Sequence, residues 1–377
     1  MLGLMAELLK NIYNKEFIKD LSSRFAKVYP KFNSKKFSQL VFSKGWEQKE
    51  LKERMRHISM ALKEVLPNGF PKAVKIIIDV TRGIEIEGFE YMFFPDYIEV
   101  FGKNHWKESI DAIEKITPVA SGEYAVRAFI LLNHEKMLKT MKKWAKSKNF
   151  HVRRLASEGC RPRLPWSIGL PVFQKEPTGA LSILEILKKD PELYVRRSVA
   201  NNLNDISKDN PDILINLLKK WNTDKSAEMQ WLVKHSLRTL EKQGHKKALR
   251  LLGYSTNVKI VNPTFKIKPK RISLGEKLEL SLLIKTNSVK SKNIVIDYVV
   301  YHKKANGALT PKVFKWSKQK ISSKQELSLS KTHHIKAITT RKYYSGKHEI
   351  HVQINGKVIA KECFTLKIDK VIKTRPV

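Results

Sequence analysis

Apolar residues recur every three or four positions through the first two thirds of this chain, and every second position through most of the last third. The first spacing predicts amphipathic helices and the second predicts half-buried strands. Helical cores are expected at 6–10, 17–28, 37–42 and 49–65, with Tyr29-Pro30 and Leu66-Pro67 as stops, because the residue before a proline avoids the helical region. Between 50 and 66, Leu51, Met55, Ile58, Leu62 and Val65 form one stripe against a face of Lys, Glu and Arg. Further helices are expected at 73–80, from Phe94-Pro95-Asp96 onward, and at 106–116, 135–146, 181–189, 213–221 and 227–242. Ser121 reads as an N-cap, which puts Glu123 in a first turn where a carboxylate complements the helix dipole.

Two of the predicted helices open with the same triplet, Val-Arg-Arg, at Val152 and Val195, 43 residues apart. Val152, Leu155, Ala156 and Gly159 form one inward stripe, and Val195, Val199, Leu203 and Ile206 form the other. Arg154 and Glu158 then share the opposite face, as do Arg197, Asn201 and Asp205. One such pair by itself reads as a surface ion pair of little worth. Two aligned copies favour an outer surface that faces a ligand. Trp231-Leu232-Val233-Lys234-His235-Ser236 echoes the pattern a third time. Helix pairs recurring at roughly 35–45 residues predict an α-solenoid of HEAT type.

After the first copy comes Cys160-Arg161-Pro162-Arg163-Leu164-Pro165-Trp166. The two prolines drive the chain out of the helix, so Arg161 and Arg163 are expected on a stiff loop that ends at Trp166. That tryptophan is either core filler or a platform for a nucleic-acid base.

Period-two stretches lie at 278–285, 294–302, 347–354 and 357–368, with hairpin signals at Asn306-Gly307 and Asn355-Gly356. About seven short strands in this length predict an immunoglobulin-like β-sandwich. The expected organisation is a helical solenoid over 1–253, a sandwich over 254–369 and a flexible tail over 370–377.

Charge sharpens this picture. The net charge is +37, and from Ser255 onward 27 Lys and Arg face 7 Asp and Glu, so over half of the excess sits in the last third. A polyanion is the implied partner, with nucleic acid first. An anionic membrane is the weaker candidate, because neither a long apolar helix nor a lipidation signal is seen. Cys160 and Cys363 are the two cysteines, too few for a disulfide framework or a zinc site, which fits a reducing cytoplasm. The first residues lack the pattern of a signal peptide and read as a helix. His333-His334 is expected to be an ordinary surface pair, without partners for a metal.

The stretch SGEYAVRAF at 121–129, together with VRRLASEGCRPRLPW and VRRSVANNLNDISKD, resembles the AlkC branch of the HEAT-like-repeat DNA glycosylases. The similarity covers 1–250 and is densest from 121 to 221. Some members of that branch carry a C-terminal immunoglobulin-like domain that contacts DNA, and the basic tail is similar to it. Two positions depart from the family: Cys160 stands where a small residue such as Ser is more usual, and Tyr124 where Phe is.

The resemblance implies a metal-free and cofactor-free monofunctional N-glycosylase, a monomer acting on duplex DNA that contains N3-alkylated bases such as 3-methyladenine and 3-methylcytosine. It implies catalytic acids at Glu158, Asp205 and Glu123, with Trp166 against the lesion or its sugar. Arg154, Arg161, Arg163, Arg197 and Asn201 are implied to bind DNA, the arginines along its backbone or as groups that order the carboxylates. Such an enzyme is expected in the cytoplasm of a bacterium, on the nucleoid. Two readings compete with it: a DNA-binding solenoid that senses lesions without catalysis, and a protein-binding scaffold.

Overall fold

The computed structural model describes residues 9–85, 88–255, 257–288, 290–322, 325–338 and 340–368. The expected tail 370–377 and most of the expected helix at 6–10 lie outside these residues. The chain forms two units, one of helices up to Ser236 and one from Leu237 onward. Among the described residues, no helix is long and apolar enough to cross a membrane.

The first unit is an array of helices whose repeat is the one read from the triplets. Phe150–Gly159 packs on His134–Trp144 on one side and on Leu193–Ile206 on the other, and Leu193–Ile206 packs in turn on Ala227–Ser236. The three copies of the pattern thus lie side by side. Thr178–Leu187 and Pro211–Trp221 back them as a second layer. Val152, Leu155, Ala156, Val195, Val199, Leu203 and Ile206 are all buried, as the periodicity requires.

The first arginine of each triplet explains why the motif repeats. Arg153 donates to the carbonyls of Ser147 and Lys148, and Arg196 donates to those of Asp190 and Pro191. These are equivalent positions just before each helix. Arg153 also grips the Asp190 carboxylate, at 2.6 and 3.0 Å, which ties one repeat to the next. The second arginine of the first triplet, Arg154, turns instead to Glu123 and Glu158, and its counterpart Arg197 is exposed.

The second unit begins with two short helices, Arg238–Lys242 and Lys246–Leu251, and continues as a two-sheet sandwich. The strands are β1 (Ile260–Lys268), β2 (Arg271–Ser273), β3 (Lys277–Thr286), β4 (Lys292–Lys303), β5 (Leu309–Ile321), β6 (Glu326–His334), β7 (Gly346–Ile354) and β8 (Lys357–Lys367). One sheet has the order β1-β3-β6 and the other β2-β8-β7-β4-β5. Phe265, Leu280 and Leu282 from the first sheet meet Ile296, Tyr298, Val300, Ile350, Val352 and Phe364 from the second. Asn355 and Gly356, at φ 49° and 78°, make the tight turn expected between β7 and β8.

The structure departs from expectation in four places. The period-two stretches are β3, β4, β7 and β8, the interior strands; β1, β2, β5 and β6, all at sheet edges, show no such stretch, although the hairpin signal at Asn306-Gly307 marks the β4–β5 turn. Edge strands hide less apolar surface and carry protective lysines, as β5 does with Lys312, Lys315, Lys318 and Lys320, so alternation there is blurred. β4 does not alternate in burial: Ile294 to Val300 is buried throughout, because the outer face of its sheet is also covered. The helix expected over 227–242 breaks at Leu237, between Ala227–Ser236 and Arg238–Lys242. Lastly, His333 is not a surface residue. It is buried and bonded to the Tyr298 hydroxyl at 3.0 Å.

Candidate active site

Two parallel helices, Phe150–Gly159 and Leu193–Ile206, and the turn before Ala125–Leu132 bring three acids together. They alternate with arginines in one chain of ion pairs. Arg154 bonds Glu123 and lies 3.5 Å from Glu158. Arg161 bonds Glu158 at 2.6 Å and Asp205 at 2.8 Å, and Lys208 closes the row on the other Asp205 oxygen at 2.8 Å. Glu158 receives a further bond from the Ser198 hydroxyl at 2.6 Å, and Ser198 also reaches Ser157. Ser121 donates to Glu123 at 2.9 Å and accepts from Arg154 at 2.8 Å.

The surroundings correct three expectations. Glu158 and Asp205 do not stand on an open outer face; they are 5% and 2% exposed. The neighbouring repeat packs against one side of them, and Arg161 folds back over the other. Arg161 is therefore not offered to solvent from its loop. It is buried, and both of its contacts with acids are spent within the row. Ser121 does not cap a helix, since the helix starts at Ala125 with Tyr124 at the cap position. Glu123 stands before the helix and is held by Arg154 and Ser121 rather than by a dipole.

The remaining expected residues are spread around the row. Trp166 is 62% exposed, with φ 61°, a left-handed backbone that ordinary residues avoid. Its ring meets the edge of Phe89, with centroids 6.5 Å apart. Arg163 is exposed and forks onto Asp209 at 2.6 and 2.9 Å. Arg197 is exposed, while Asn201 is half-buried beside His235.

Glu123 lines an open cavity. This cavity is about 320 Å³ and is walled by Phe89, Met92, Tyr124, Arg154 and Tyr194. Met92 and Tyr124 also border a larger groove of about 680 Å³, which Lys49, Lys52 and Arg56 help to line. Burial raises the pKa of Glu123 above the ordinary carboxylate range, and the nearby Glu158 charge adds to this while Arg154 opposes it. Burial also lifts the Tyr124 phenol to about 12 and the Cys160 thiol to about 12, so the thiol stays protonated at neutral pH. Among the described residues, no group of three or more His, Cys, Asp or Glu is arranged to hold a metal ion.

Several residues of the site escaped the sequence. Ser198 and Tyr194 sit inside the second repeat. Tyr194 carries the Arg154 guanidinium over its ring, 5.0 Å from the centroid. Position 194 precedes the Val-Arg-Arg triplet directly, so the aromatic next to the motif was a usable signal. Ser198 gave none.

Residues 108–240 match the family described as DNA alkylation repair enzyme, and residues 262–368 match the C-terminal Ig-like domain of the uncharacterised protein YhaZ. YhaZ of Bacillus subtilis (strain 168) is 42% identical over 350 residues, 93% of this chain and 97% of that protein. The structure of Pseudomonas fluorescens alkylpurine DNA glycosylase AlkC, bound to DNA containing an abasic site analog, matches with a TM-score of 0.89 at 36% identity, over 95% of this chain and 99% of that one. This chain belongs to the AlkC family. Its relationship to AlkC spans both units, so the Ig-like part is a shared element of the two proteins. The stretch 121–221, where the resemblance to the AlkC branch is densest, lies inside the matched helical region and carries the whole acid–arginine row.

Proposed function

We propose that the chain is a DNA repair glycosylase that hydrolyses the N-glycosidic bond of N3-alkylated bases, 3-methyladenine and 3-methylcytosine, in duplex DNA. The observation that carries this reading is the row Glu123–Arg154–Glu158–Arg161–Asp205, within a fold shared with an alkylpurine DNA glycosylase. An N3-alkylated base is already cationic and leaves readily. The C1′–N bond breaks, its electron pair neutralises the base, and positive charge passes to the sugar. Fixed carboxylates in a poorly solvated site stabilise that charge with little reorganisation. Water then forms the new C1′–O bond and gives its proton to a carboxylate.

Glu158 takes first place in this role, with Asp205 second and Glu123 third. Arg154 and Arg161 keep the acids in place and hold them apart. The Glu123 end of the row is its accessible end, since Glu123 lines the open cavity beside Arg154 and Tyr194. Exposed Arg163 and Arg197, with the lysines of the Ig-like unit, supply phosphate contacts, and Trp166 supports the sugar or lesion.

One observation favours the non-catalytic reading. Both Glu158 oxygens are already bonded, by Arg161 and by Ser198. A lesion-sensing solenoid needs no more than that. Duplex DNA treated with a methylating agent separates the two: released bases and abasic sites are expected from the wild-type chain. Glu158→Gln is expected to lower the single-turnover rate by about 10²-fold or more while binding persists. A chain that binds methylated duplex but releases no base is the sensor, and an unaltered rate in the Gln variant removes Glu158 from the chemistry.

A further inference from the structure

Arg127 is one helical turn beyond Glu123 and is 0% exposed. The hydrogen bonds it makes go to backbone carbonyls. Nη1 donates to Gly159 at 3.2 Å and to Arg161 at 2.8 Å. Nε donates to Ile168 at 2.8 Å, and Nη2 donates to the same oxygen. These acceptors are the last residue of the helix that carries Glu158, the arginine that bridges two of the acids, and the second residue after Trp166. One planar fork therefore ties both ends of the 160–168 loop to the helix behind Glu123.

This is an expensive way to fix a loop. A guanidinium bonded to neutral carbonyls alone has no direct counter-charge, and burial lowers its pKa to about 10. An apolar side chain there would cost less if the loop needed only to be packed. What an apolar side chain lacks is direction. Five N–H groups in a fixed plane define where two strands of loop must lie. Trp166, at the far end, has a left-handed backbone and a mostly exposed ring, so it has little packing of its own to hold it. A second tether comes from Lys52, whose ammonium donates to the Trp166 carbonyl at 2.6 Å.

We infer that Arg127 is a positioning residue for the proposed base excision, acting through the loop to hold Arg161 between Glu158 and Asp205 and to present Trp166. The inference rests on the functional reading above. The clamp itself can be tested apart from it.

The test uses the full chain with Arg127→Met, which keeps the volume and loses the donors, and Arg127→Lys, which keeps the charge and loses the fork. Two measurements are made well below the melting temperature: single-turnover base release from methylated duplex at saturating enzyme, and hydrogen exchange along the chain. The expected result for the Met variant is at least a tenfold slower excision with affinity for an abasic duplex within threefold of wild type. Exchange should rise across 160–168 and stay unchanged across 193–206. The Lys variant should fall between, because one ammonium cannot span three carbonyl acceptors. A uniform fall in protection would mean general destabilisation and would overturn the inference. So would a folded variant with wild-type excision, or with wild-type protection of the loop. If the Met variant does not fold, the Lys variant decides by the same criteria. If the wild-type chain releases no base, the functional reading fails, and the exchange measurement still decides whether Arg127 orders the loop.

Discussion

Glu123 shows how a single residue's surroundings change its meaning. Near a helix start it reads as a dipole-stabilised carboxylate, which would favour its ionised form. Instead it is enclosed beside Arg154 and Glu158, and burial dominates, raising its pKa above the usual 4.5. The sign follows. If the ionised form works, activity is complete above the raised folded-state pKa and is lost as pH falls through it, at a higher pH than a solvated carboxylate would give. Glu123→Gln should move that acid limb downward in a pH profile of single-turnover base release. Superimposable acid limbs for the two proteins would remove Glu123 from the working site. Glu123 came only with the stretch 121–129 that resembles the AlkC branch, whereas Glu158 and Asp205 were legible on the aligned faces of the triplet repeat. Their enclosure was not, because it is Arg161 and the packed neighbour helix that shut them in, and local spacing does not encode either.

At the scale of elements, the two short helices Arg238–Lys242 and Lys246–Leu251 are part of the Ig-like unit's structure. Glu241 pairs with Lys318 at 2.7 Å and Lys315 at 3.3 Å on β5, and Gln353 on β7 donates to the Lys242 carbonyl at 3.3 Å. Gly244, in the turn between the helices, touches Gly356 in the β7–β8 turn so closely that a Cβ on either would collide with the other's backbone. Gly244 also has φ 70°. Gly244→Ala should therefore cost roughly 2 kcal/mol or more. Urea denaturation of the two proteins measures this, and equal midpoints would mean that the contact is not needed.

The same unit buries His302, His333 and His348, and burial lowers their pKa values, to about 3 for His302 and about 4 for His333. The folded unit thus takes up protons later than the unfolded chain does. Its stability is full above pH 6.5 and declines as pH falls toward 4 and 3. His302→Leu should flatten that decline, which denaturant midpoints at pH 7 and pH 4.5 can measure. A wild-type midpoint equal at both would refute the assignment.

At the scale of the whole molecule, the division into units after Ser236 decides how the protein can be cut. A chain ended at Gly253, where composition changes, would keep two helices whose Leu240, Ala248 and Leu249 are buried in the intact protein. A chain ended at Ser236 omits both helices. The shorter fragment should be monodisperse and the longer one prone to aggregate, which size-exclusion chromatography will tell. If DNA is the partner, both should bind duplex with a shallower salt dependence than the intact chain, because more than half of the net charge lies beyond Ser255. An unchanged slope of log affinity against log salt would assign those lysines to another partner.

The sequence by itself determined the helical repeat, the four interior strands and the acids and arginines that the repeat would align. Each of these depends on a short-range period matched to one buried face, and such a period is written in consecutive residues. Tertiary structure alone decided which of those groups would be shut away from water. It also decided that Arg161 turns inward, that Arg127 spans the loop, and that the helices 238–251 belong with the sandwich. These outcomes depend on what arrives from distant positions to fill the space beside a side chain, so no local pattern can hold them.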